Sequence, residues 1–506
     1  MKKERKSIVA TGHEAVSWAA EVILREGGNA FDAAVSGGFA GAIAEQTLTS
    51  LGGGGFLLAR EKNGKATFFD FFVDTPGLGL KRRADNIHFF PVTIEFGGSK
   101  QDFNIGAGSV AVPGTLKGLL HVHERLGRLP LNVVLEPAIQ LARGHELNEF
   151  QATFLAMLRP IMTMSERGRR LYAPEGRYLA RGDTLKMPEL ADFLASLPEE
   201  RDKNFYQGDI AEKTAREIQE QGGLLTLDDL SAYRVIERKP LDAHYRGYTL
   251  LTSPPPSFGG PLIALSLDIL DKMPPPEKWG SPEHLLRILK LMQEIDSMRA
   301  SGILDGEQIQ AFKDGMGADN MADKIRMFSR GTTHISISDS MGNIASMTCS
   351  NGEGSGCFVP GTGIMLNNMM GEDDLHPDGF HASPPGMRVG SMMSPSALLF
   401  EDEVRLVLGS GGSKRIRSAM TQVITHFVDF NEALQKIIDS PRIHWDGSVL
   451  QVEPGFGETA LAALREKAPV NLWEEINVYF GGVHSVIPGI TGAGDPRRGG
   501  STVETL

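Results

Sequence analysis

The sequence has little cysteine, no long apolar run and no run of basic residues. Its 506 residues include only two cysteines, Cys349 and Cys357, too few for a disulfide framework or a four-cysteine zinc site. The longest uncharged stretch, 248–267, contains four prolines, so it is not a membrane-spanning helix. Acidic residues outnumber basic ones, 63 to 51, which argues against a nucleic acid or an anionic membrane as partner.

The beginning of the chain also lacks the apolar run of a secretory signal. Segment 1–6 is charged, but no run of about 7–15 apolar residues follows it, so we expect a cytoplasmic protein. Hydrophobic residues make up 41% and charged residues 23% of the chain, which is ordinary for a globular protein and excludes a disordered one. The length allows either three domains or one large α/β unit with elaborations.

Glycine, in contrast, is abundant. The 59 glycines include dense blocks at 52–55, 352–356 and 409–412, as expected where backbone approaches backbone or a ligand closely. None of these blocks has the Gly-Lys-Ser/Thr ending of a phosphate-binding loop or the spacing of a dinucleotide-binding turn. The pattern therefore gives little support to a nucleotide as the ligand.

Apolar periodicity predicts mixed helices and strands along the whole chain. The predicted helices cover 17–25, 114–126, 132–143, 188–197 and 282–299, and the predicted strands cover 66–72, 334–338, 344–350 and 404–408. Pro137 should kink or restart its helix. This mixture, without an internal repeat or a low-complexity linker, favours one layered α/β core.

The most informative stretch is a predicted β-hairpin over 331–351. The segment Asp339-Ser-Met-Gly-Asn343 has a hairpin-turn signature in which Gly342 supplies the positive φ. A turn centred on Met341 predicts two sets of cross-strand partners, unless a bulge shifts the register by one. The hydroxyl-rich face then pairs Thr332 with Ser350, His334 with Thr348 and Ser336 with Ser346, and the apolar face pairs Thr333 with Cys349, Ile335 with Met347 and Ile337 with Ala345. Such a hairpin is expected to cover a core on one side only.

The hydroxyls of this hairpin have an ordinary and a functional interpretation. By composition they are side chains that face solvent. A nucleophilic hydroxyl needs an activating base, and the chain has no Gly-x-Ser-x-Gly elbow or recognisable Ser-His-Asp order. One device remains open, a threonine made N-terminal by chain cleavage, whose own α-amine is the base; the spacing by itself does not show it.

Ten short motifs are spread along nearly the whole chain. They are Glu21-Val-Ile-Leu-Arg-Glu-Gly-Gly-Asn-Ala-Phe-Asp-Ala-Ala-Val35, Leu51-Gly-Gly-Gly-Gly-Phe56, Val112-Pro-Gly114, Glu136-Pro-Ala138, Pro254-Pro-Pro-Ser-Phe-Gly-Gly260, Thr332-Thr-His334, Gly363-Ile-Met-Leu-Asn-Asn368, Ser391-Met-Met-Ser-Pro395, Gly409-Ser-Gly-Gly412 and Asp495-Pro-Arg497. Each motif alone is weak, but their order and spacing together are specific. They resemble the gamma-glutamyltransferase (gamma-glutamyltranspeptidase) family of N-terminal-nucleophile hydrolases, and the first is similar to that family's N-terminal helix-turn-helix signature.

The resemblance implies a four-layer αββα sandwich, an α/β layered fold, made as an inactive precursor. Self-cleavage between Gly331 and Thr332 is expected to give a large chain, 1–331, and a small catalytic chain, 332–506. The two chains would form a heterodimer, with further dimerisation left open. The implied substrate is a γ-glutamyl amide such as glutathione, and no cofactor, metal, nucleic acid or membrane is implied.

The resemblance also assigns site residues by their match to family motifs. The expected catalytic residues are Thr332 as nucleophile, Ser350 as a second hydroxyl bonded to it, and Gly411 and Gly412, whose backbone N–H groups form the oxyanion hole. The expected substrate-binding residues are Asn351 and Glu372 for the α-ammonium, and Ser391 and Met392 at the paired serines that hold the α-carboxylate. Because Met392 replaces a serine, one of the two hydroxyls is missing.

Two further departures from the family pattern concern the substrate. The stretch 69–76 lacks the Arg that usually meets the α-carboxylate, so either another Arg replaces it, with Arg388, Arg415 and Arg417 as candidates, or the substrate differs. The segment 368–391 is shorter than the lid-bearing stretch of many members, which predicts an open site and hydrolysis favoured over transfer to amino acids or peptides.

Two rival functions and several structural interpretations complete the prediction. The rivals are a related acylase or amidohydrolase with a non-γ-glutamyl substrate and a catalytically silent binding protein; the intact Gly331-Thr332 junction argues against silence. His334 is expected to structure the hairpin and Cys349 to lie in the core. The acidic and histidine-containing segment 372–381 is expected to be a polar loop rather than a metal site, and 313–330 an exposed segment.

Overall fold

The computed structural model describes residues 5–80, 86–96, 99–300, 331–376 and 379–506. The segment 313–330, predicted to be exposed, lies outside these residues. Among the described helices, none is both long and apolar enough to cross a lipid bilayer.

Strands and helices alternate along the described chain and are numbered here in chain order. The strands are β1 (Ser7–Thr11), β2 (Gly54–Arg60), β3 (Ala66–Phe71), β4 (Phe90–Phe96), β5 (Ser99–Ile105), β6 (His145–Glu146), β7 (Thr184–Leu185), β8 (Ile236–Arg238), β9 (Leu241–Tyr245), β10 (Tyr248–Thr252), β11 (Thr333–Ser338), β12 (Ile344–Ser350), β13 (Ser396–Phe400), β14 (Glu403–Gly411), β15 (Ile443–Trp445), β16 (Leu450–Val452), β17 (Val470–Leu472), β18 (Gly482–Ile487), β19 (Thr491–Ala493) and β20 (Ser501–Thr505). The helices are α1 (Glu14–Arg25), α2 (Ala30–Ala44), α3 (Thr115–Leu126), α4 (Leu131–Arg143), α5 (Glu149–Met157), α6 (Arg159–Met162), α7 (Glu166–Tyr172), α8 (Pro188–Glu200), α9 (Lys203–Gln207), α10 (Asp209–Glu220), α11 (Leu227–Ala232), α12 (Gly259–Asp271), α13 (Pro282–Ala300), α14 (Arg415–Phe430), α15 (Leu434–Asp439) and α16 (Glu458–Arg465).

The predicted hairpin lies at the centre of a seven-stranded antiparallel sheet. The strand order is β20-β1-β11-β12-β2-β3-β8. The register pairs Thr333 with Cys349 and His334 with Thr348 without a bulge, as the sequence predicts. Gly342 has φ +100° in the turn, a conformation that glycine adopts without steric cost.

Both faces of this hairpin are buried. On one face Ile335 and Met347 belong to the same apolar core as α2. On the other face the Ser336 hydroxyl donates to the backbone carbonyl of His484 at 3.0 Å, and the Ser346 hydroxyl donates to that of Leu408 at 3.0 Å. The predictions of a one-sided hairpin and of hydroxyls facing solvent are therefore wrong. A second sheet covers the hydroxyl face, which the alternation along one strand cannot reveal.

This second sheet has six antiparallel strands in the order β19-β18-β14-β13-β10-β9. Apolar residues of α12, α13 and α14 share a core with those of β10, β13 and β14. On the opposite side of the molecule α2 packs against the seven-stranded sheet, and each of its residues is buried. Two sheets lie between two layers of helices, so the chain has the expected four-layer αββα sandwich.

Periodicity located the amphipathic elements but not the fully buried ones. The five predicted helices and four predicted strands are present, with ends within three residues of the expected positions. Helix α4 runs through Pro137 without a break. The long helices α2 and α14 were not predicted from periodicity; burial on all sides of α2 removes the polar stripe that marks a surface helix.

Candidate active site

The hydroxyls of Thr332 and Ser350 converge on one backbone carbonyl, that of Gly331. Thr332 lies directly before β11 and Ser350 is the last residue of β12, and both are buried. The Thr332 Oγ1 donates to the Gly331 oxygen at 2.8 Å, and the Ser350 Oγ donates to it at 2.5 Å. The two hydroxyls therefore meet through the carbonyl of the predicted cleavage bond rather than by a direct hydrogen bond.

The predicted glycine pair lies against the same residue. Gly411 ends β14, and a Cβ atom there would come within 2.4 Å of the Thr332 carbonyl oxygen. Gly412 has φ +122°, a backbone conformation that other residues rarely adopt. Only glycine therefore allows the end of β14 to approach Thr332 this closely.

A pocket of about 310 Å³, partly open to solvent, lies beside these two hydroxyls. Its polar lining consists of four hydroxyls and two carboxylates, and no Lys, Arg or His is among the described residues that line it. The lining residues are Phe72, Thr332, Ser350, Met369, Glu372, Asp374, Leu375, Ser391, Met392, Met393, Ser413 and Ile416. The walls thus combine carboxyl groups, hydroxyls and apolar surface, and the buried nucleophile candidate Thr332 forms part of them.

Three of the four predicted substrate-binding residues, Glu372, Ser391 and Met392, line this pocket. The fourth, Asn351, is not among the lining residues but lies close by, because a Cβ atom on the adjacent Gly352 would be 2.4 Å from Glu372 Oε1. Asn351 is 1% exposed, and within the described residues neither polar atom of its side chain has a hydrogen-bond partner.

The three arginines considered as replacements for the missing carboxylate partner are engaged elsewhere. Arg388 forms ion pairs with Asp70 at 2.9 Å and Asp74 at 2.7 Å. Arg417 pairs with Asp296 at 2.6 Å, and Arg415 donates to the backbone carbonyl of Tyr479 at 3.0 Å. None of the three lines the pocket.

The ordinary interpretations of His334 and Cys349 are confirmed. The ring nitrogens of His334 hydrogen-bond the hydroxyls of Thr348 at 2.8 Å and Ser336 at 2.9 Å, on the face that the second sheet covers. Burial holds the pKa of His334 well below its usual value, so the ring is a neutral structural group. Cys349 is a buried core residue. In segment 372–381, the rings of His376 and His381 each contact a backbone carbonyl, and no three candidate ligands in the described parts of the chain are placed to hold a metal ion.

Five residues near the reacting groups were not predicted. Asp374 lines the pocket and accepts from Ser413 at 2.6 Å. Glu353 accepts from the Gly331 N–H at 3.1 Å. Glu45 and Arg498 contact Thr333 and Thr332. Sequence signals existed for three of them, since Ser413 directly follows the glycine pair, Glu353 lies inside a glycine block and Asp374 lies two residues after Glu372. Glu45 and Arg498 come from distant segments.

These features define a class of protein. Two antiparallel sheets between helical layers, with a threonine at the start of a central strand and its hydroxyl on the preceding carbonyl, are the arrangement of an N-terminal-nucleophile hydrolase. The family model described as gamma-glutamyltranspeptidase matches residues 16–505. The chain therefore belongs to the gamma-glutamyltranspeptidase family, as its motifs predicted, and is an enzyme of the gamma-glutamyltransferase/glutathione hydrolase type.

Relatives with two kinds of name cover almost the whole chain. The glutathione hydrolase proenzyme of Escherichia coli K12 is 31% identical over 517 residues, which span 94% of this chain and 87% of that protein. The Acylase ACY 1 proenzyme of Pseudomonas sp. SE83 is 30% identical over 493 residues, 91% of this chain and 86% of that protein. Among solved structures, cephalosporin acylase from Bacillus halodurans superposes with a TM-score of 0.83 at 25% identity, covering 99% of this chain and 96% of that one.

Proposed function

We propose that this chain is a self-processing amide hydrolase whose nucleophile is Thr332. The precursor would cleave between Gly331 and Thr332 into chains of 331 and 175 residues that stay together as a heterodimer. The observation that carries the proposal is the convergence of the Thr332 and Ser350 hydroxyls on the Gly331 carbonyl, at the wall of a pocket.

The cleavage step follows from this geometry. The Thr332 hydroxyl oxygen attacks the Gly331 carbonyl carbon, and the C–N bond between Gly331 and Thr332 breaks. The leaving nitrogen takes the proton that the hydroxyl loses, so that an ester joins the two chains. The O–H of Ser350 donates to the oxygen on which negative charge develops, and such preorganised donors stabilise acyl-transfer transition states strongly. Water then hydrolyses the ester and leaves a Gly331 carboxylate and a Thr332 with a free α-amine.

The same parts would then act on a bound amide. The freed amine, whose reference pKa is about 7.7–8.0, takes the proton of the Thr332 hydroxyl as it attacks the substrate carbonyl. The N–H groups of Gly411 and Gly412 would bind the developing oxyanion. Loss of the amine product leaves an acyl-enzyme, which water resolves.

The leading substrate class is a γ-glutamyl amide of the glutathione type, with hydrolysis favoured over transfer. Glu372 and Asp374 line the pocket and are suited to an α-ammonium group. Asn351 supports the same assignment. A buried amide without a partner costs free energy, and the side-chain oxygen of Asn351 can accept a hydrogen bond from a bound ammonium group. The named glutathione hydrolase relative is consistent with this class.

A second candidate, an acylase for groups without an amino-acid head, has its own support. The pocket presents Met392 where a hydroxyl would meet the α-carboxylate, and no cation is among its described lining residues. An unpaired carboxylate beside Glu372 and Asp374 would be repelled. A relative named as an acylase matches 91% of the chain, against 94% for the glutathione hydrolase, and the structure of a cephalosporin acylase superposes on 99% of it.

Cleavage is tested on the purified protein with a denaturing gel and N-terminal sequencing. Wild-type protein should give two bands, of about 36 and 19 kDa by their share of the 54.8 kDa chain, and the smaller should begin Thr332-Thr333-His334. Thr332→Ala should remain one chain, and Thr332→Ser, which keeps a hydroxyl, should still cleave. A fully active single chain would refute the proposed mechanism.

The substrate class is tested with four anilides that share one leaving group. γ-Glutamyl anilide carries both ammonium and carboxylate, 4-aminopentanoyl anilide only the ammonium, glutaryl anilide only the carboxylate, and pentanoyl anilide neither. Turnover that requires the ammonium supports the γ-glutamyl class, whereas a preference for the glutaryl or pentanoyl group favours the acylase candidate. A dipeptide acceptor added to the preferred substrate measures transfer against hydrolysis.

A further inference from the structure

Two buried side chains, an arginine and a glutamate, hold Thr332 and Thr333 at the point where β11 begins. Arg498 is 2% exposed, and its Nη1 donates to the Thr332 carbonyl oxygen at 3.2 Å. Glu45, 3% exposed at the end of α2, accepts from the Thr333 hydroxyl at 2.7 Å. Neither residue lines the substrate pocket, so both contact Thr332 and Thr333 outside the pocket.

Arg498 lies on a short turn that buried ion pairs hold in place. It ends the 3₁₀ turn Pro496–Arg498, whose N-cap is Asp495. Asp495 is paired with Arg442 at 2.6 Å, and Arg497 is paired with Glu453 at 2.6 Å. All four of these side chains are almost completely buried, and breaking a buried pair is strongly destabilising. The position of the Arg498 side chain is therefore fixed by the core rather than by the substrate.

Chain cleavage makes the contacts of Arg498 and Glu45 more important for the position of Thr332. Before cleavage, Thr332 is held from both sides by the chain. Afterwards it is a chain end, and chain ends are poorly ordered unless they are tied down. Among the contacts that remain next to the new terminus are the Arg498 bond to the Thr332 carbonyl and the Glu45 bond to the Thr333 side chain. A nucleophile displaced by about 1 Å can lose about 100-fold in rate, so these contacts bear on catalysis.

We propose that Arg498 and Glu45 are positioning residues that hold the free end at Thr332, and that the Arg498 charge favours the unprotonated, base-competent form of the Thr332 amine. The inference rests on the proposed cleavage. The amine and carbonyl oxygen of one residue are roughly 3 Å apart, so the guanidinium lies within roughly 6 Å of the amine, close enough to disfavour a second positive charge.

Other ionisable groups also face this chain end. The carboxylates are Glu45, Glu353, Glu372 and Asp374, the histidines are His334 and His484, and Arg415 is the other cation near Arg498. Burial lowers the pKa of His484 to about 4 and holds that of His334 low, so both rings are neutral at pH 7. Burial lowers the Arg498 pKa to about 10, which leaves it charged. Burial raises the Glu45 pKa to about 7, opposed by the Thr333 hydrogen bond and the Arg498 charge, so Glu45 is only partly ionised near neutral pH.

The test is the pH profile of kcat/KM for the processed enzyme, measured with the preferred anilide. Arg498→Gln should move the acidic limb up by about one pH unit and lower kcat more than it raises KM. Arg498→Lys, which keeps the charge, should leave the limb near its wild-type position. Glu45→Gln keeps an acceptor for Thr333 and removes a negative charge that is only partly present near neutral pH, so its limb should move the opposite way, to lower pH, but by less than the limb of Arg498→Gln. Arg167→Gln, at a half-buried ion pair with Glu217, is the matched control.

The outcomes separate this inference from the proposed function. A wild-type chain that is never cut at Gly331-Thr332 refutes the proposed function itself. Normal cleavage with acidic limbs unmoved in both Arg498→Gln and Glu45→Gln refutes the inference and leaves the function standing. If Arg498→Gln does not fold or mature, Glu45→Gln and Arg498→Lys still test the inference. The acidic limb of Glu45→Gln should move to lower pH, while that of Arg498→Lys stays near its wild-type position. A Glu45→Gln limb that stays in place overturns the inference.

Discussion

At the reaction end of the pocket, around Thr332 and Ser350, each hydroxyl has a fixed partner and a buried cation lies behind the strand. At the recognition end, around Glu372 and Met392, two carboxylates stand beside apolar side chains, with no cation among the described lining residues. The reaction end is held by two sheets and a buried ion network, whereas the recognition end is set by a few loop residues. The reaction end is therefore fixed by contacts between distant strands and turns, whereas the recognition end is formed by buried residues of the segments 369–375 and 391–393.

One of the two largest expected effects tests the reaction end. Ser350→Ala removes one of the two donors to the Gly331 carbonyl, and loss of such a bond is worth about 1–3 kcal/mol, or about 5- to 150-fold in rate. Cleavage followed on gels over time, and then anilide turnover, should both slow by this order. Ser355→Ala, an equally buried serine that bonds the Leu366 carbonyl instead, should cleave normally. Equal rates for the two variants would mean that Ser350 does not support the reaction.

The recognition end is tested by Glu372→Gln. If the carboxylate binds an α-ammonium, its loss should lower kcat/KM about 10- to 150-fold, since hydrogen bonds to charged groups contribute about 1.5–3 kcal/mol. The loss should fall on γ-glutamyl and 4-aminopentanoyl anilides and spare glutaryl anilide. Asp373→Asn, an exposed neighbour outside the pocket, is the control. A uniform loss on all three substrates would contradict an ammonium contact.

A smaller effect is expected from restoring the missing hydroxyl. Met392→Ser adds a donor beside Ser391, and one hydrogen bond of about 1 kcal/mol corresponds to roughly 5-fold in affinity. The KM for γ-glutamyl anilide should fall by about this factor, while that for 4-aminopentanoyl anilide should not. If neither KM changes, the site does not hold a carboxylate at this position, and the acylase candidate gains.

Protein stability should also depend on a group at the reaction end, Glu45. Burial raises the Glu45 pKa from 4.5 to about 7, so between these pH values the folded state holds a proton that the unfolded state has lost. Stability from this group is therefore present below pH 4.5 and is lost as pH rises to about 7. Glu45→Gln should match wild type near pH 5 and be more stable by about 2–3 kcal/mol near pH 8.5. Thermal unfolding measures this, with the exposed Glu149→Gln as control; a pH-independent difference would contradict it.

Local sequence patterns located a large part of this structure. The alternation along 331–351 and the turn at Gly342 predicted the hairpin register correctly, because pairing with a period of two and a short turn leave few alternatives. Amphipathic helices such as α3 and α4 were found for a similar reason. The motifs then predicted the family, which neither composition nor periodicity contains.

Contacts between distant segments could not be predicted from the sequence. Thr332 meets Arg498 and Thr333 meets Glu45 across separations of 166 and 288 residues, and no local spacing records such pairs. The same holds for the failed arginine candidates: Arg388 was near the right motif, but Asp70 and Asp74 already bind it.

The hairpin, the family and the residues that face each other across neighbouring strands are predictable from the sequence alone, because they depend on local pairing and short motifs. The tertiary structure was needed to show that the hydroxyl face is buried between two sheets, that two carboxylates and no cation are among the described residues lining the pocket, and that Arg498 and Glu45 contact Thr332 and Thr333. Those outcomes depend on which surfaces pack together, and packing is settled by burial of apolar area and pairing of charges over the whole chain.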